Sequence, residues 1–131
     1  MGGRGTYAAG NNAAYRYKTV DKIEDVKVLT GKDGLHDLPM ESHSSKMYIK
    51  LNHDGTFNML RVYGGDHLVK LEIAYHVDST LSKTGEKVLH YHTYEYGSQF
   101  KDGMHREDGI RLHKGDQFVQ EFGKYLKGVK L

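Results

Sequence analysis

Alternation of apolar and polar residues from Lys46 to Val77, broken twice by turn chemistry, constrains this chain more than any other feature. Met47, Ile49 and Leu51 alternate with Lys46, Tyr48 and Lys50 before Asn52-His53-Asp54-Gly55. Successive side chains of an extended strand point to opposite faces, so this run reads as a strand with one covered face, and an Asp-Gly pair between two such runs marks a hairpin. Phe57 to Tyr63 supplies the return strand, and Gly64-Gly65 a second turn. In the third strand, Leu68 to Val77, the residues Val69, Leu71, Ile73 and Tyr75 make an apolar face and Lys70, Glu72, Ala74 and His76 the other. A polar connector, 78–86, leads to a fourth strand over 87–96. Near the C-terminus Asp116 is placed to cap a helix in which Phe118, Phe122, Tyr125 and Val129 recur at helical spacing. The expected fold is α+β, an antiparallel meander sheet of about four strands with a C-terminal amphipathic helix packed on one face.

The flanks are weaker. Residues 1–18 open with four glycines and two asparagines in the first twelve positions, a composition that buries too little to offset ordering, and are expected to be a flexible leader. Residues 19–131 are expected to form one domain, since 131 residues with 37% hydrophobic content suffice for a single core. Asp25 to Leu29 alternates like a short strand, closed by Gly31-Lys32-Asp33-Gly34, and Pro39 marks a connector into the main sheet. The segment 97–115 is polar and dotted with glycine, with a short strand expected at Ile110-Arg111-Leu112; loops of this length are usually functional or disordered.

Composition removes several functions. There is no cysteine, so disulfide frameworks and thiolate metal sites are excluded, and any transition metal falls to His, Asp and Glu. Nineteen basic residues against seventeen acidic ones do not announce a nucleic-acid binder, although nine histidines add charge near an anion. No apolar run approaches the ~18 residues of a membrane span, and a soluble cytoplasmic protein is expected.

The residues that point to chemistry are His90 and His92, at i and i+2 in the fourth strand and so on one face about 7 Å apart, with His76 closing the neighbouring strand. Three readings stay open. Metal binding would use His76, His90, His92 and Glu95, but Glu95 falls on the opposite face of an ideal strand. Metal-independent RNA cleavage needs a base for the 2′-hydroxyl, an acid for the leaving oxygen and a cation for the phosphorane; two or three histidines with Arg61 or Lys46 supply those parts. The third reading is a contact surface, which ten tyrosines suit. Which side of the strand 87–96 is buried decides between a site and a packed edge.

Met1-Gly2-Gly3-Arg4-Gly5, Pro39-Met40-Glu41-Ser42, Glu72-Ile73-x-Tyr75-His76 and His90-x-His92 together resemble small proteins of phages and integrative elements of Gram-positive bacteria, some similar to the barnase/EndoU/RelE-like ribonuclease toxins. The resemblance covers about residues 39–97 and implies a site lined by Glu41, Ser42, His76, His90 and His92. Leu89 stands where the group has proline, and 97–115 has no counterpart there. The expectation that follows is a metal-independent ribonuclease, with His90 and His92 as acid/base pair, His76 or Arg61 steadying the phosphate, Ser42 donating a hydrogen bond, and Glu41, Lys46 and Tyr94 binding substrate. No cofactor is implied. The partner is RNA, or, in the competing expectation, a host ribonucleoprotein or defence protein bound and inhibited without catalysis.

Overall fold

The computed structural model describes residues 17–31 and 37–131. The expected leader lies outside the described residues except for Tyr17 and Lys18, which open a strand, as does most of the turn expected at Gly31 to Gly34. The strands are β1 (Tyr17–Ile23), β2 (Val26–Gly31), β3 (Met47–Leu51), β4 (Phe57–Tyr63), β5 (Val69–Val77), β6 (Lys87–Tyr96), β7 (Met104–Arg106) and β8 (Ile110–Arg111); one short helix, α1 (Gln117–Phe122), is followed by a 3₁₀ turn, Gly123–Tyr125. The α+β class holds. The count and the uniform antiparallel pairing do not, because eight strands form one mixed sheet in the order β1 to β7, with β8 also on β6. Every pairing is antiparallel except β2 with β3, where Lys27 and Val28 lie beside Tyr48 and Ile49.

The additional strands come from segments with muted patterns. β1 carries mostly exposed residues, and its turn to β2 uses Glu24 at φ +55, a left-handed conformation usually given to Gly or Asn. β7 and β8 arise where 97–115 turns at Gly97 to Gly103 and folds back along the outer edge of β6, so the long polar segment is an ordered border of the sheet. The Asp54-Gly55 hairpin forms as expected: Gly55 takes φ +83 and donates its N–H to Asn52 O. In the second hairpin the left-handed residue is His67, at φ +69, rather than Gly64 or Gly65.

Both faces of the sheet are covered. One core gathers Val28, Ile49, Leu60, Leu71, Ile73 and Leu89 under Leu112, Phe122 and Tyr125. Phe118 of α1 meets Tyr91 edge-on at 5.0 Å, so the aromatic stripe packs as its spacing predicts. The helix is shorter than expected, since Gly123 weakens its continuation and Gly128 takes φ +83. Asp116 sits at the cap position without capping; its carboxylate accepts the His113 N–H at 2.6 Å. The second core gathers Leu29, Leu38, Tyr48, Met59, Tyr63, Val69, Ala74 and Tyr94. A register shift between Val62 and Tyr63 sends Val69 to this side, away from Leu71 and Ile73. Residues 38–42 cross over it: Tyr63 donates its hydroxyl to Pro39 O at 2.6 Å, and Val69 N–H bonds Met40 O. Among the described residues no helix is long and apolar enough to cross a membrane.

Candidate functional site

The second face carries the ionisable residues. β5 and β6 pair so that Glu72 lies opposite His92 and Ala74 opposite His90. Ala74, fully buried between Glu72 and His76, is small enough to leave room for imidazoles across the strand gap. The result is a row of three rings, His76 and His90 with centroids 6.2 Å apart and His90 and His92 at 5.2 Å, each pair edge-to-face. Strand alternation predicts His90 and His92 on one face, and the structure puts that face inward: they are 3% and 6% exposed.

Each ring is held by one nitrogen. His90 Nδ1 donates to Val88 O at 2.7 Å and His92 Nδ1 to Glu107 O at 2.8 Å, which leaves Nε2 of both as the lone-pair nitrogen. His76 Nε2 donates to Asn58 Oδ1 at 2.8 Å, and the Asn58 amide is oriented by its own donation to Asn52 Oδ1 at 2.9 Å. Burial lowers the pKa of His76 and of His92, with the neighbouring His90 adding to the effect on His76, so both favour the neutral form. Asp78, just past the end of β5, lies with Oδ2 4.0 Å from His90 Nε2. One ligating atom each from Asp78, His90 and His92 falls within 4.8 Å of the others. Asp78 was invisible in sequence because its carboxylate belongs to a polar connector and reaches the site only once β5 and β6 pair.

Beside the row is a buried ion-pair network. Arg61 on β4 donates Nε to Glu72 Oε1 at 2.8 Å and Nη1 to Leu38 O at 2.7 Å, while Arg106 on β7 reaches Glu72 Oε2 at 3.0 Å. Burial alone would raise the Glu72 pKa; Arg61 and Arg106 overcome it and hold the carboxyl below its ordinary value. Tyr94 hydrogen-bonds Glu72 Oε1 at 3.3 Å, and burial pushes its phenol up, so it keeps its proton. Asp37, Arg61, Glu72, His76, Tyr94 and Arg106 line a cavity of about 230 Å³ together with Met40, Met59 and Met104. A wider cleft of about 670 Å³ runs along β1 to β3, and the histidine row is not among its walls.

The remaining expected residues do not line this cavity. Ser42 is buried, donating Oγ–H to Ser45 O at 2.7 Å and accepting Ser45 N–H at 3.0 Å, so its hydroxyl shapes a turn. Glu41 forms an isolated bridge with Leu68, and Lys46 is exposed, its carbonyl accepting from Tyr63 N. Glu95 is exposed beside Glu107, whose pKa it raises, and takes no part in the histidine row. Arg106, absent from the sequence-based set, contributes the most accessible cation, with a side chain 48% exposed. Comparison of the chain with family models, with curated proteins and with solved structures gives no match.

Proposed function

We propose that the protein is a ribonuclease cleaving RNA by internal attack of a 2′-hydroxyl in the cavity between β4, β5, β6 and β7, with His76 as the general base in place of the His90–His92 pair. One observation carries this reading: a neutral imidazole, a half-exposed guanidinium and a protonated phenol share one small cavity. His76, fixed through Nε2, offers Nδ1 as the acceptor for the 2′-hydroxyl proton. The 2′-oxygen bonds to phosphorus and the P–O5′ bond breaks. Arg106 balances the charge on the phosphorane, and Tyr94, once its hydroxyl turns from Glu72 Oε1, passes its proton to the departing 5′-oxygen. The phenolate left behind lies near the Arg61 guanidinium, 3.4 Å from Nη2, and regains its proton from water, while the His76 imidazolium gives up to water the proton it took. The products are a 2′,3′-cyclic phosphate and a 5′-hydroxyl. These steps use side chains alone. His90 and His92 are too enclosed to meet a phosphodiester and are given no chemical step.

Support from the sequence is the resemblance of the glycine-rich opening and the Pro39-Met40-Glu41-Ser42 segment to phage and integrative-element proteins, some of which look like ribonuclease toxins. Incubation of single-stranded RNA with the purified chain is expected to yield fragments. His76→Ala is expected to slow cleavage by about 10²-fold or more. RNA left intact by the unaltered protein would contradict the reading.

A second reading has its own observation. β1 ends the sheet among the described residues, five of its seven residues exposed, with Val20 53% exposed at its centre. Such an edge suits strand addition by a partner, the mode expected of a non-catalytic inhibitor of a host defence protein. Intact RNA together with a partner complex abolished by Val20→Pro would favour it.

A further inference from the structure

Independently of the ribonuclease reading, we propose that Asp78, His90 and His92 form a binding site for one divalent transition ion of the zinc type. The three residues come from two segments, the end of β5 and the middle of β6, and bring their ligating atoms within 4.8 Å of one another. Each ligand is held by the atom it would not use. Asp78 Oδ1 accepts the Thr80 N–H at 2.9 Å and the Thr80 hydroxyl at 2.6 Å, leaving Oδ2 toward His90. Both imidazoles donate Nδ1–H to backbone carbonyls, the outer-shell arrangement that fixes a metal-binding histidine in the right tautomer. Both Nε2 atoms belong to rings more than nine-tenths buried and, among the described residues, have no hydrogen-bond partner. A buried, unpaired acceptor is costly to maintain unless something occupies it.

The backbone above the site is cut to fit. A methyl group on Gly109 would stand 3.1 Å from His92 Cε1, 3.3 Å from Asp78 Oδ2 and 3.3 Å from His90 Cδ2, so a side chain here would press on all three ligand residues, which would have to give by a few tenths of an ångström. Tetrahedral zinc with bonds near 2.0–2.1 Å separates its ligands by roughly 3.4 Å. The 4.0 Å between His90 Nε2 and Asp78 Oδ2 therefore closes by about 0.6 Å on binding, and the widest pair of ligands, at most 4.8 Å apart, by at most about 1.4 Å, with Asp78 the more exposed side chain at 21%. Two imidazoles and a carboxylate, without sulfur, select first-row transition ions over calcium or magnesium. An ion there would clip the Asp78 connector to β6, and the 107–109 segment with it through the Glu107 carbonyl.

The test is titration of zinc chloride into the full chain, stripped of metal and free of affinity-tag histidines, followed by calorimetry, with cobalt(II) as a visible-absorption probe. One ion per chain, a tetrahedral cobalt spectrum and a raised Tm are expected. Asp78→Asn, conservative and partly exposed, is expected to weaken binding at least tenfold while the metal-free Tm holds, and Gly109→Ala is expected to weaken it as well. Absence of binding to the unaltered chain, or an affinity unchanged from it in both Asp78→Asn and His92→Gln, would overturn the inference. None of these readouts uses RNA, so zinc binding without RNA cleavage removes only the ribonuclease reading, and cleavage without zinc binding removes only the metal site.

Discussion

At the scale of single residues, the second face is governed by what a buried charge requires. Glu72 satisfies two arginines, and the Arg61 side chain beside it is 6% exposed. Glu72→Gln, which leaves the Arg61 cation enclosed with a neutral partner, is expected to cost about 3–5 kcal/mol by urea denaturation, as for other broken buried pairs. A loss below about 1 kcal/mol would show the pair to be solvated. The histidines set the pH response. His76 and His92 bind protons more weakly in the folded chain than an ordinary imidazole at 6.5, so unfolding takes up protons in the interval below that value. Stability is then full above about pH 6.5 and falls as the pH drops through the depressed folded values. Glu72, lowered from 4.5, adds a second loss at more acid pH, below that value. Calorimetry on the metal-free chain is expected to give a lower Tm near pH 5.5 than near pH 7.5, and a flat profile would contradict the placement of these rings.

Among elements, legibility followed the strength of the physical signal. Strands β3 to β6 have either strict alternation or turn residues whose chemistry is unambiguous, and they lie where those signals put them. β1 was obscured because its residues are polar and its turn holds Glu24 in a conformation that a side chain normally avoids. β7 and β8 are too short to carry a periodicity; their existence follows from the edge that β6 offers. Ambiguity about β6 resolved in an unforeseen way, since Leu89 and Tyr91 face the helix-covered core while His90, His92 and Tyr94 face a second one. The aromatic stripe of α1 was legible even though the helix was not its full length. Phe122→Ala, which removes the buried ring anchoring α1, is expected to cost about 3 kcal/mol in denaturant and to raise amide exchange through 117–125. Unchanged exchange would mean that α1 is held by Phe118 and Tyr125 alone.

For the molecule as a whole, a sheet covered on both faces turns one polar side into an interior, and that conversion separates the chemistry of the site from its sequence pattern. His76 was legible as a candidate because it closes the strand beside His90 and His92, and Arg61 as a cation for the phosphate; Arg106 and Asp78 were not, because only the fold-back of 97–115 and the pairing of β5 with β6 deliver them. The division that results is between a cavity around His76 and an enclosed cluster around His90 and His92. Analysis of the ends of RNA fragments tests it most directly, comparing the unaltered chain with His76→Ala and Tyr94→Phe. The expected fragments carry 2′,3′-cyclic phosphate and 5′-hydroxyl ends, formed rapidly by the unaltered protein and slowly by both variants. Fragments bearing 5′-phosphates, or cleavage undiminished in His76→Ala, would contradict it.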